Sequence, residues 1–193
     1  MNENEIETMI NGQDAITQAG ILMAAEPLGK RKLKWQVITL QIPFDVKTTV
    51  DGSGNEITRI TTFRKQFETT AHKTNERIIG ITLHSDFEEA LNESTIQLGI
   101  DNEEILPDSF DCSLIAAKKD VGFYKNMYRL NERANGSLIK GTYNGGALLS
   151  DAQEWLKTHP DAQRGANEGE YYYTVKLYLW SIQKPLEQNN KGL

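Results

Sequence analysis

Catalysis near neutral pH needs side chains that ionise, coordinate or attack, and they must be able to meet. This chain offers three histidines, His72, His84 and His159, and one cysteine, Cys112. The histidines form no His-x-His or His-Glu-x-x-His pattern, so they lack metal-ligand spacing. A single cysteine makes no internal disulfide and no Cys-rich zinc site. Its neighbours Asp111 and Ser113 supply no cation to draw out a thiolate. Alternation with Leu114 places Cys112 on a strand as a small buried hydrophobe. Neither a Gly-x-Ser-x-Gly elbow nor a Gly-x-x-x-x-Gly-Lys phosphate loop occurs.

Carboxylates come closer to a pattern. Asp51-Gly-Ser-Gly-Asn-Glu56 copies the start of a calcium loop. Its sixth position, which must be Gly, is Glu56, and its twelfth, which should be an acid, is Thr62. The stretch is therefore expected to be a hairpin tip. Glu88 with Glu89, and Glu103 with Glu104, have the residue types of a glycosidase acid and base. Adjacent strand residues point to opposite faces, and nothing local would shift either pKa. The expectation is no catalytic set, no metal and no cofactor, hence no enzyme.

Two further groups suit binding. Lys30, Arg31, Lys32 and Lys34 are the densest basic cluster and could meet phosphates of nucleic acid or anionic lipid. Tyr171, Tyr172, Tyr178 and Trp180 crowd one segment with more aromatics than one buried face can take. Aromatics are enriched in interface cores and can also stack on sugars.

The elements that position these residues are strands. From Tyr171 to Ser181 the residues alternate: Tyr173, Val175, Leu177 and Leu179 on one face, Tyr172, Thr174, Lys176, Tyr178 and Trp180 on the other. Lys34 to Phe44 repeats the habit, with Ile38, Leu40, Ile42 and Phe44 opposed by Trp35 and Val37, and Pro43 marks its end. Val46–Val50 and Glu56–Phe63 flank the Gly-rich tip as a hairpin. Arg77–His84 and Ser94–Ile100 are strands, the latter with Ile96, Leu98 and Ile100 inward. After the turn at residues 101–104, Pro107-Asp-Ser bends the chain. Asp111–Ala116 and Gly122–Leu130 are weaker strand candidates, and Asn135-Gly136 is a hairpin-type turn into Ser137–Tyr143. Residues 147–158 switch to helical spacing, with Leu148, Leu149, Ala152, Trp155 and Leu156 on one face, a Ser150/Gln153 capping box and Pro160 as the stop. About eight strands without intervening helices predict an all-β fold, an antiparallel two-sheet sandwich.

At 193 residues the chain can bury one sizeable core. Its net charge of −6 disfavours indiscriminate nucleic-acid binding. No apolar run approaches the roughly 18 residues of a membrane span, and the acidic start is unlike a secretory signal, so synthesis in the cytoplasm is expected. The spacing predicts three parts: an N-terminal arm over 1–29, the sandwich over 30–184 and a flexible tail over 185–193. In the arm, Ile6, Met9 and Ile10 sit at helical spacing, followed by Ile16, Ile21 and Leu22. Gly12 and Gly20 interrupt the pattern, and whether the segment is a broken amphipathic helix, a mobile arm that orders on a partner or a plain packed helix stays open at this level.

The stretch Ile96-Gln-Leu-Gly-Ile-Asp-Asn-Glu-Glu-Ile-Leu-Pro-Asp-Ser-Phe110, with Asn75–His84 before it and the Tyr171 strand at the end, resembles jelly-roll virion proteins of tailless icosahedral bacteriophages with an internal membrane. The resemblance implies a single jelly roll over residues 34–182. This chain has room for one roll, where the major capsid proteins of that group usually double it, which points to a minor capsid, penton-type or single-roll capsid protein. It further implies a virion location, copies of itself and other capsid proteins as partners, and an arm reaching under neighbouring subunits. Lys30, Arg31, Lys32 and Lys34 would face the shell interior, toward membrane or genome, and Tyr171, Tyr172, Tyr178 and Trp180 would lie at interfaces. The alternative from the residues themselves is a carbohydrate- or surface-binding β-sandwich module, with a glycan as partner.

Overall fold

In the computed structural model, which describes residues 33–117, 127–160, 162 and 170–183, the first strand pairs with the last. The described strands are β1 (Leu33–Val50), β2 (Glu56–Thr62), β3 (Arg64–Thr70), β4 (Asn75–Ser85), β5 (Thr95–Ile100), β6 (Glu103–Asp111), β7 (Tyr128–Arg133), β8 (Leu138–Asn144) and β9 (Glu170–Gln183), with one α-helix, α1 (Leu149–Thr158), before the last strand. They form two antiparallel sheets, ordered β2-β1-β9-β4-β7 and β3-β8-β5-β6.

Setting the added edge strand β2 aside, the pairs nest: β1 with β9, β3 with β8, β4 with β7, β5 with β6. A chain doubled into one long hairpin gives these four pairs. Rolling that hairpin up brings β9 beside β4 and β8 beside β5. The result is a jelly roll, a double-sheet architecture that shortens exposed edges.

Period-two alternation decides which side chains fill the space between the sheets. Leu40, Ile42 and Phe44 of β1, Tyr173, Val175, Leu177 and Leu179 of β9, and Ile96, Leu98 and Ile100 of β5 are all buried, as their spacing predicts. Helix α1 closes one end by placing Trp155 against Phe44 (5.8 Å between ring centroids) and Phe87 (5.3 Å). Gln36 bridges the sheets near another end of β1, its Nε2 donating to Thr69 Oγ1 at 3.1 Å and to the Thr70 carbonyl at 3.2 Å.

Several expectations need correction. β1 runs through Pro43 to Val50 instead of ending there. Its ladder with β2 begins at Phe44↔Thr62, so no β2 partner is required of Pro43, which has no N–H to give. Strand β3 was not predicted, because Arg-Lys-Gln-Phe-Glu-Thr-Thr has a single apolar residue, Phe67, and only that side chain is buried. Pro107-Asp-Ser does not end β6. The register jumps from Ile96↔Phe110 to Leu98↔Leu106, so the extra residues are absorbed as a bulge on a sheet-edge strand, where proline is tolerated.

Asp111–Ala116 is no strand. Asp111 Oδ1 accepts from Ser113 N at 2.8 Å and starts a 3-10 turn over Cys112–Leu114. The turn at Asn135-Gly136, with Gly136 at φ +83°, links β7 in one sheet to β8 in the other and so is not a hairpin. The capping box does not form: Leu148 is the N-cap, and Ser150 Oγ donates to Asp151 Oδ1 instead. The arm over 1–29, the tail over 185–193, the first part of the Gly122 segment and most of the loop after Pro160 lie outside the described residues.

At the hairpin tip, the Asp51 carboxylate is engaged by N–H groups of the turn itself. Its Oδ1 accepts from Ser53 N at 2.8 Å and Asn55 N at 2.9 Å. The hydrogen bond from Asn55 N is the main reason its carboxyl is held below the usual range.

Leu98 is fully buried and Leu114 is 66% exposed. Leu98→Ala should cost about 3 kcal/mol in urea unfolding, and Leu114→Ala less than about 0.5 kcal/mol. Equal costs would contradict the register of β5.

Candidate functional site

The inner faces of the two sheets carry the buried apolar side chains, and the open grooves of the described residues lie outside them. The two sheets present unlike outer faces. The four-stranded sheet is polar outside: Gln97 Nε2 donates to Glu104 Oε1 at 2.9 Å and Asn144 Nδ2 to Thr95 Oγ1 at 3.1 Å. A groove of about 500 Å³ there is lined by Gln66, Glu68, Asp101, Glu103, Glu104 and Lys140 among others.

The five-stranded sheet is apolar outside along part of β1 and β9. Their register sets Trp35 opposite Trp180, Val37 opposite Tyr178 and Leu33 opposite Ile182. The two indole rings pack at 5.3 Å. Ile79, Met127, Trp180 and Ile182 form a second buried cluster, separate from the main core, with Leu33 and Tyr178 against it. Met127 lies so close over Gly80 that a Cβ there would stand 2.1 Å from its Cγ, so glycine is required. Met127 therefore covers the β4 side of this face. The β1 side is open: Trp35 is 59% exposed and Val37 39%.

A second feature lies between α1 and β9. Trp155 Nε1 donates to the Asp86 carbonyl at 2.9 Å, and Thr174 N donates to Asp86 Oδ1 at 2.7 Å. His159 stacks on Trp155 at 4.4 Å. With Gln41, Thr158 and Tyr172 these residues line an open groove of about 410 Å³.

The aromatics singled out from the sequence divide between these places. Tyr171 packs inward, 5.6 Å from Phe44, because its position in the alternation is that of Tyr173. Tyr172 faces the α1 groove. Tyr178 and Trp180 lie on the outer face, but Trp180 is only 8% exposed, and the open indole is that of Trp35. The alternation had put Trp35 and Val37 on that face, whereas Met127 comes from a distant segment that no spacing pointed to. Of the basic cluster, Lys34 is exposed at the start of β1, while Lys30, Arg31 and Lys32 lie outside the described residues.

Of the groups with chemical potential, His159 shares an open groove with the carboxylates of Asp86, Glu88, Glu89, Asp151 and Glu154. His72 Nδ1 is 2.7 Å from Thr74 Oγ1, His84 meets the edge of Tyr178 at 5.1 Å, and His159 belongs to the Trp155 stack. Among the described residues, no group of three or more His, Cys, Asp or Glu side chains could hold a metal ion. Burial, helped by the charge of Asp111, pushes the Cys112 thiol well above its ordinary range. Burial likewise pushes the Tyr173 phenol up to about 12.

Two outcomes follow. Cys112 should remain unlabelled by a thiol reagent in the folded protein and react only on unfolding; rapid native labelling would contradict its burial. For His84, desolvation is the main cause and lowers the pKa, Glu88 opposes it, and Lys176 adds the smallest lowering. The folded-state value lies below the unfolded one near 6.5, so the unfolded chain binds the proton more readily. Stability is then full above about pH 6.5 and declines as pH falls through the folded-state value. Thermal melts of His84→Asn should show a flatter profile in that window; an unchanged slope would contradict this.

No family model matches this sequence, and comparison with curated proteins and with solved structures gives no match.

Proposed function

We propose that this protein is a structural virion protein, a minor capsid, penton-type or single-roll capsid subunit that works by self-association and catalyses nothing. The observation that carries the reading is the nested pairing of eight strands into one roll around a core of buried apolar side chains. Jelly rolls serve viral shells, lectins and cupins, and fold alone does not choose among them. An apolar core favours work done from outside, through contacts between copies in a closed arrangement. The resemblance of residues 77–110 to phage virion proteins favours the shell within that set. Lys30, Arg31, Lys32 and Lys34 serve in this reading as contacts to membrane or genome.

The α1 groove supports a second reading, a glycan-binding module. Tyr172 and the exposed His159 ring flank polar side chains, Gln41, Asp86, Thr158 and Thr174, that could orient a sugar.

Light scattering after gel filtration, with electron microscopy of the same fractions, tests the choice. A discrete ring or trimer is expected for a shell subunit. A monomer at all concentrations would sink that reading, and a monomer that binds a glycan, with binding lost in Tyr172→Ala, would establish the second. Replacing Lys30, Arg31, Lys32 and Lys34 with Ser should weaken binding to anionic vesicles or nucleic acid at low salt. Unchanged binding would remove the interior contact.

A further inference from the structure

The outer face of a solvated sheet in a sandwich is ordinarily polar. Here Leu33, Trp35 and Val37 lie in one row on β1, and Trp35 keeps 59% of its surface open beside a second, already buried cluster. Among the described residues, that combination is half of a packed layer, open at Trp35. The open half lies at the very start of β1, where residues 1–32 join the described structure.

We propose that residues 1–29 of the same chain cover this face. Three properties of the segment fit it. First, Ile6, Met9 and Ile10, with Ile21 and Leu22 further on, supply apolar side chains at helical spacing. Gly12 and Gly20 interrupt that spacing, and the row from Leu33 to Val37 spans only about 13 Å, so the segment can cover it in short pieces. Second, Pro27-Leu28-Gly29 offers the chain reversal needed to bring the segment back over β1. Third, every charged side chain before Lys30 is acidic: Glu3, Glu5, Glu7, Asp14 and Glu26. The exposed charges in the same outward row of the sheet are cationic, Lys176 opposite Thr39 and Arg77 opposite Ile182. Tethering by a few residues gives the segment an effective concentration of order millimolar at its own face, ahead of a copy arriving from solution. This inference does not rest on the virion reading.

The test uses the full chain with a benzophenone amino acid in place of Val37. Unlabelled and ¹⁵N-labelled protein are mixed, photolysed, and digested for mass spectrometry. Cross-links to peptides from residues 1–29 that carry the same isotope as the Val37 peptide are expected. Adducts of mixed isotope would overturn the proposal in favour of a neighbouring copy's segment, and adducts that avoid residues 1–29 would overturn it outright. A companion chain with Ile6→Ser, Met9→Ser and Ile10→Ser should lose about tenfold in that cross-link, equivalent to about 1.4 kcal/mol. An unchanged yield would also reject it. Light scattering of the same samples reports on self-association separately.

Discussion

The pairing of β1 with β9 is the constraint from which the rest of this structure follows. It runs from Leu33↔Ile182 to Asp45↔Glu170 and joins opposite ends of the described chain. Once made, it leaves strands β3 to β8 to pair as a nested set inside it. It also fixes both faces at once. One parity carries Leu40, Ile42, Phe44, Tyr173, Val175 and Leu177 into the core, and the other carries Trp35, Val37, Tyr178 and Trp180 outside. A slip of one residue would exchange those sets, so the core specifies the outer face as firmly as it specifies itself.

Closing such a distant pair costs loop entropy before any contact repays it, so topologies of this kind fold slowly. Local devices reduce that burden. The Asp51 tip, held by hydrogen bonds from Ser53 and Asn55, orders the β1–β2 hairpin without distant help. The Asp111 cap and the Gly136 turn do the same where the chain leaves β6 and changes sheets.

The legible parts of the fold were those whose side chains announce a period. Tyr171–Ser181, Ser94–Ile100 and the stretch from Lys34 to Phe44 alternate strongly, and their buried faces match the alternation. β3 was illegible because its neighbours, not its own residues, define it as a strand: its partner β8 supplies the ladder, and only Phe67 enters the core. Pro43 and Pro107 misled for the opposite reason. Each is a local stop signal, and a ladder that begins one residue later or a bulge at an edge overrides it. The outer aromatic face was half legible. Alternation placed Trp35 and Trp180 together in kind, yet their opposition and the lid formed by Met127 depend on register between strands far apart in the chain. The α1 groove was not legible, since Asp86, His159 and Tyr172 meet only after the roll is closed.

Native-state hydrogen exchange tests the central role of the β1–β9 pair most directly. Amides within Ile38–Phe44 and Tyr173–Leu179 should share the highest protection and open only with global unfolding, with the denaturant dependence of the whole domain. Exchange of β9 through a separate opening of lower free energy, while β5 and β8 stay protected, would contradict the account.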